Sequence, residues 1–241
     1  MSGTLRLLGL EFANLDAASA ANSIAHRSAT ASFGYVVTPN ADHLVRLRRA
    51  PELRPLYEHA MLRLLDSRVV ALLAQMVGLP VPRVAPGSDV TAHVLLRHLV
   101  PGEPVTIVGL SPRWLPALGI SAVAHYDPPR GFEHDPAAMQ EAVQFVLAHP
   151  ARFVLLAVGS PRQEMLADAI RATGRATGVG LCIGASLEFL AGAHHRAPSW
   201  MRRARLEWLY RLACDPRHMA RRYLLDDPAI IPLLLRERLS R

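Results

Sequence analysis

The chain has 241 residues, 51% of them hydrophobic, enough to bury a full core in one domain. Its formal charge is +7, and with no Lys in the sequence every basic side chain other than His is Arg, a permanently charged planar donor fork suited to phosphate. No uncharged apolar run approaches the ~18–20 residues of a spanning helix, the N-terminus lacks the core and cleavage site of a signal peptide, and two cysteines make no disulfide framework. The expectation is a protein of the reducing, cytoplasmic compartment whose contact with a membrane is peripheral.

In chain order, strands alternate with helices. Phe33–Thr38 is β-branched and aromatic, and PNADHLVRLRR after it opens a helix. Met61–Asp66 is a short apolar run ending in an acid, followed by the helical SRVVALLAQMVG. Pro104–Leu110 predicts a buried strand and Ile120–Tyr126 another, with AAMQEAVQFVLAH as an amphipathic helix. Arg152–Gly159 is the strongest strand signal, PRQEMLADAIRAT the helix behind it, and Gly178–Ser186 the last strand. Short buried strands separated by helices predict an α/β domain, a Rossmann-like, mostly parallel sheet flanked by helices. GVGLCIG at 178–184 has the wrong spacing for a dinucleotide fingerprint. Cys182 and Cys214 both lie in apolar contexts and are expected as buried free thiols.

Near Ala193 the pattern changes to Arg-rich helices without strands. Eight Arg fall between Gly192 and Leu225 against Glu207 and Asp215, so most of the net charge and two of the three Trp sit in one short segment. The expected division is a catalytic body over residues 1–192 and a basic helical appendage over 193–241, acting as lid and membrane-facing surface. Its last element, PAIIPLLLRERLSR, fits a shallowly inserted amphipathic helix as well as a helix packed on the body. Pro228 and Pro232 argue against a single long helix there.

In open α/β sheets, ligands bind beyond the carboxyl ends of the strands. Four such tips carry unusual polar residues: Thr38 to His43, Asp66 to Arg68, Gly159 to Glu164, and Gly184 to Glu188. The turn-rich loop Arg83 to Asp89 lies between them. Each has a plainer reading. Asp66, Asn40, Asp42, Ser88 or Asp89 could cap a helix, and Gln163 and Glu164 fall in a helical first turn, where acids complement the dipole. The eleven His show no metal-ligand spacing, so no metal is expected.

Taken together, these blocks resemble the WecG/TagA/CpsF family of bacterial glycosyltransferases (glycosyltransferase family 26) from about Thr38 to Tyr223. The most specific pieces are Gly159–Glu164, Ala191–Pro198, and Glu207 to Leu212 leading to Asp215-Pro216. Thr38 with Asn40, Asp66, and Arg83 with Gly87 and Asp89 match earlier motifs in the same order. The resemblance implies an inverting transferase that moves a sugar from a UDP-sugar to a saccharide on a polyprenyl diphosphate lipid, in cell-surface or exopolysaccharide synthesis. It implies no cofactor or metal, and the sequence has no Asp-x-Asp motif. Asp66 matches the candidate general base. Thr38, Asn40, Arg83, Gln163 and Glu164 match substrate-pocket positions, and Phe132, Gly159 and Glu188 nucleotide positions. Arg196, Arg211, Arg217, Arg221 and Arg222 become the expected diphosphate ligands. Ser67 replaces the family's usual Gly after the catalytic Asp, Glu188 stands where Asp is common, and His218 takes a slot often held by Arg.

The expected partners are therefore the UDP-sugar donor, the lipid-linked acceptor and the inner face of the plasma membrane, without nucleic acid; a homo-oligomer is compatible. Two rivals remain: a noncatalytic family member within a polysaccharide assembly complex, and a nucleic-acid-binding module built on clustered Arg and aromatics. The second would leave the strand-tip residues without a role.

Overall fold

The computed structural model describes residues 3–193, 198, 201, 206–216, 220 and 226–240, except the side chains of Glu207 and Arg211. The chain enters as a hairpin, β1 (Thr4–Leu7) and β2 (Leu10–Ala13), in antiparallel register with Leu7 opposite Leu10. Two residues, Leu8 and Gly9, turn the corner with positive φ, the geometry of a tight hairpin. Leu7, Leu10 and Phe12 bury one side of the ribbon. Helix α1 (Ala17–Ala25) follows, capped by the Asp16 carboxylate on the Ser19 N–H.

The central sheet then builds strand by strand. Strand β3 (Gly34–Val37) leads through α2 (Ala41–Arg49) and α3 (Arg54–Glu58) to the two-residue β4 (Leu62–Arg63). Helices α4 (Arg68–Met76) and α5 (Gly87–His93) precede β5 (Val105–Gly109) and β6 (Val123–Tyr126). Helix α6 (Pro136–Ala148), capped by Asp135 with Pro at its first position, leads to β7 (Phe153–Ala157). Helix α7 (Arg162–Ala172), β8 (Val179–Cys182) and α8 (Ser186–Leu190) complete the body. The six strands are all parallel in the order β4-β3-β8-β7-β5-β6. A sheet buried on both faces favours apolar residues at every position, which is why the central strands β3, β8 and β7 are continuous apolar runs, while the edge strands β4 and β6 carry Arg63 and His125.

Side chains from the two faces of the pleat enter two cores. Tyr35, Val37, Val108, Val154 and Leu156 join one with residues of α2, α4, α6 and α7. Val36, Ile107, Phe153, Leu155 and Leu181 join the other with α1, α5 and α8. Gly180 in mid-strand is explained by Phe33: a Cβ there would stand 2.5 Å from the ring. The strands expected from the sequence are present with trimmed ends; the Met61–Asp66 run pairs over two residues, with an added bridge between Leu65 and Val84.

Beyond the body, α9 (Glu207–Cys214) and α10 (Ile230–Leu239) are described. Pro232 sits in the first turn of α10, where it costs no internal hydrogen bond, and a 3-10 turn at Asp227–Ala229 separates it from what precedes. Helix α10 packs against α2 and α4, and its Ile230 and Leu234 are buried in the same core as those helices. Its other side is apolar and exposed: Ile231, Leu235 and Leu239 recur at four-residue spacing with exposed Arg236 and Arg238 beside them. The helix thus packs on the body with one face and leaves the other exposed. Cys182 is buried as expected, whereas Cys214 is exposed. Among the described residues no helix is long and apolar enough to cross a membrane.

Candidate active site at the strand tips

Helix α2, which follows β3, lies on one face of the sheet, and α8, which follows its neighbour β8, lies on the other. Where adjacent strands send their chains to opposite faces, a crevice opens at their carboxyl ends. A cavity of about 230 Å³ occupies that place. It is lined from four neighbouring strand tips: Thr38 and Asn40 after β3, Asp66 after β4, Gly159, Ser160 and Gln163 after β7, and Ile183 to Ser186 after β8. A larger space of about 890 Å³ lies at the seam of the hairpin, α2 and α10. Its lining is mainly Leu and Arg, and its one carboxylate, Glu237, already accepts from the Leu8 N–H at 2.5 Å. Size alone therefore does not select the site. The strand-tip crevice collects the acid, amides and hydroxyls that chemistry needs.

Local structure sets each side chain. Asn40 is the N-cap of α2, its Oδ1 accepting from the His43 N–H at 3.3 Å, and it lines the crevice as well. Ser67, not Asp66, caps α4: its hydroxyl accepts from the Val70 N–H at 3.1 Å. Asp66 is held through its own backbone, whose N–H donates to Pro39 O at 3.0 Å, and its half-buried side chain lines the crevice. Thr38 is almost wholly buried against Gly87, where a Cβ would meet its Oγ1 at 2.7 Å. That close approach explains glycine at the start of α5. Neither Ser88 nor Asp89 is the cap of that helix; it begins at Gly87 behind Pro86, and Ser88 in its first turn reaches the crevice.

Gln163 is 3% exposed and doubly fixed. Its Oε1 accepts from the Gly184 N–H at 2.8 Å, and its Nε2 donates to Glu164 Oε1 at 2.9 Å. Glu164 lies behind it, fully buried and outside the crevice lining, with Oε2 unpartnered among the described atoms. Burial pushes its carboxyl above the ordinary range, while Gln163, Ser160 and Arg46 favour the charged form and oppose that rise. Arg46 reaches the crevice from α2, paired with Asp42 one turn earlier and donating to Ser160 Oγ at 3.1 Å.

Of the residues singled out in the sequence, Thr38, Asn40, Asp66, Gly159 and Gln163 come together here. Arg83 does not: its guanidinium pairs with Asp16 at 3.1 Å, exposed, and its N–H donates to Asn14 Oδ1. Phe132 is a core residue, 2% exposed, and Glu188 sits half-buried in the first turn of α8, outside the lining. Arg211 lies on α9 with its side chain outside the described residues, as are Arg196, Arg217, Arg221 and Arg222. Sequence reasoning missed Arg46, Cys182 and Phe189 as lining residues, while Ser160 lies in the expected strand-tip loop. The available signal for Arg46 was its i,i+4 spacing from Asp42 directly after a strand tip. Among the described residues no group of His, Cys, Asp and Glu could hold a metal ion.

A family model described as glycosyl transferase, WecG/TagA/CpsF family, matches residues 5–241. With that match running essentially end to end over a Rossmann-like parallel sheet, the chain belongs to the WecG/TagA/CpsF family of glycosyltransferases, whose work is the synthesis of cell-surface polysaccharide.

Proposed function

We propose that this transferase moves a sugar from a UDP-sugar to a saccharide carried on a polyprenyl diphosphate, with inversion and without a metal, and that Asp66 is its general base. The observation that carries this reading is the Asp66 carboxylate at a strand tip, lining one crevice with Thr38, Asn40 and Gln163. The acceptor hydroxyl oxygen attacks the anomeric carbon as the bond from that carbon to the UDP oxygen breaks. The hydroxyl proton passes to the Asp66 carboxylate. The departing diphosphate gathers negative charge, which Arg side chains and backbone N–H groups can stabilise. Arg46 is the Arg that the described crevice holds, and Arg196, Arg211, Arg217, Arg221 and Arg222 are the appendage residues proposed to complete that charge.

A lipid-linked acceptor brings the enzyme to a bilayer. The outward stripe of α10, Ile231, Leu235 and Leu239 beside Arg236 and Arg238, suits the boundary of an anionic membrane, with apolar groups inward and guanidinium groups among the headgroups. The test of the whole reading is a panel of UDP-sugars against polyprenyl-diphosphate acceptors, with the lipid product weighed by mass spectrometry. A mass increment of one sugar from one donor is expected. Failure of every donor, or transfer that needs an added divalent ion, overturns the corresponding part.

A further inference from the structure

Gln163 and Glu164 are adjacent in sequence, yet they stand in different environments: one lines the crevice, the other is sealed behind it. The orientation of the Gln163 amide is fixed by chemistry. The Gly184 N–H can only donate, so the atom facing it is the oxygen, and the nitrogen must face Glu164. One of the two Nε2 hydrogens is then committed to Glu164 Oε1. The other is left as the donor available to a ligand in the crevice.

We propose that Glu164 is a positioning residue for Gln163, the acceptor that locks its amide so that one N–H is presented to the bound substrate. The role rests on the glycosyltransferase reading above for the identity of that substrate, a sugar or diphosphate oxygen. The geometry has little slack. Gln163 is clamped on its oxygen by β8's exit loop and on its nitrogen by its own neighbour in α7. Without Glu164 the nitrogen would lose its partner inside a packed interior, and the amide could turn.

The groups facing Glu164 say which form does this work. Ser160 comes from the β7–α7 loop, Arg46 from α2, Tyr57 from α3 and Cys182 from β8. The cation is shared: Arg46 is already paired with Asp42 and bonded to Ser160. Burial is the largest influence on Glu164 and favours the neutral acid, which still offers a carbonyl oxygen to Gln163. The lock therefore needs an acceptor oxygen at this position, not a negative charge.

That distinction makes it testable with Glu164→Gln, Glu164→Leu, Gln163→Ala and the double variant Gln163→Ala/Glu164→Leu. Glu164→Gln keeps an acceptor oxygen and should retain transfer within about threefold of wild type. Glu164→Leu removes it and should lower kcat/KM by on the order of 10²-fold, the scale on which small misplacements act, with native circular dichroism. Because Glu164 acts through Gln163, the double variant should be no slower than Gln163→Ala. A second readout does not depend on turnover. The chain has four glutamines, so ¹⁵N-Gln labelling resolves the Gln163 side-chain amide by NMR. Its hydrogens should exchange slowly with solvent in wild type and Glu164→Gln, and fast, with a shifted resonance, in Glu164→Leu. Wild-type turnover by Glu164→Leu, additive losses in the double variant, or an unchanged amide spectrum overturns the positioning role. A wild-type chain that transfers no sugar from any donor overturns the functional reading instead, and the amide spectra still decide the lock.

Discussion

Two adjacent residues at the tip of β4 divide two duties. The Ser67 hydroxyl satisfies the Val70 N–H, which would otherwise be an orphan donor of α4. Asp66 lines the crevice, and the helix end does not depend on its side chain. Asp66→Asn should keep the α4 cap and lose transfer by about 10²–10⁴-fold, the usual contribution of a general base, while UDP titration calorimetry shows undiminished binding. Transfer at the wild-type rate would remove Asp66 from the proton path. Glu164 makes a separate prediction, read in stability. Its pKa is raised above the ordinary 4.5 by burial. Below that value the carboxyl is protonated in both the folded and unfolded states. As pH rises, the unfolded chain ionises while the folded one resists, so folding loses stability until pH passes the folded value. Glu164→Gln cannot ionise. Its melting temperature relative to wild type should therefore climb as pH rises from about 4.5 and then level off; a difference that is flat with pH would show that Glu164 titrates normally. The family resemblance marked Asp66 as the candidate base, but neither the assignment of the cap to Ser67 nor the sealing of Glu164 was legible in the residues themselves. Asp and Ser are both good caps, and an acid in a first turn looks like an ordinary complement to the helix dipole whether it is solvated or sealed.

At the scale of elements, the strands announced themselves because a parallel strand covered on both faces is largely apolar, as Phe153–Ala157 is throughout and Val105–Gly109 is apart from Thr106. The β1–β2 hairpin gave no such signal: Arg6 and Glu11 face each other across it, and only one side is buried. Helix α10 shows how one apolar segment serves two surfaces. Ile230 and Leu234 bury against α2 and α4, and Ile231, Leu235 and Leu239 stay outside. Composition alone held both possibilities, since the helix is apolar nearly all round until its Arg residues. The outer stripe can be altered without touching the core. Leu235→Asp together with Leu239→Asp should leave the melting temperature nearly unchanged and reduce flotation with anionic phospholipid vesicles by roughly tenfold, through lost apolar insertion and added negative charge. Equal flotation of the variant would move membrane contact to another surface.

For the whole molecule, the charge break near Gly192 suggested a body and a separable appendage, and the fold places part of that appendage inside the body. Ile230 and Leu234 are 2% and 0% exposed, enclosed with Leu44, Leu47, Val70 and Ala74 in the core on one face of the sheet. Truncation after Gly192 would therefore remove more than basic charge. Burying two such side chains contributes about 3–6 kcal/mol, and their loss also exposes the surfaces of α2 and α4 that they cover. For a domain of this size each kcal/mol moves the melting temperature by about 2–4 °C, so a fall on the order of 10 °C is expected along with loss of transfer. Inactivity of the truncated chain would then say little about the Arg residues, since an unsettled α2 carries Asn40 and Arg46 with it. The separation requires a chain that keeps α10. Replacing Arg217, Arg221 and Arg222 with Gln in the full-length protein should leave the melting transition in place and lower transfer, if those side chains stabilise the departing diphosphate. A truncated protein that melts with the full-length chain would instead show that α10 is a passenger on the fold.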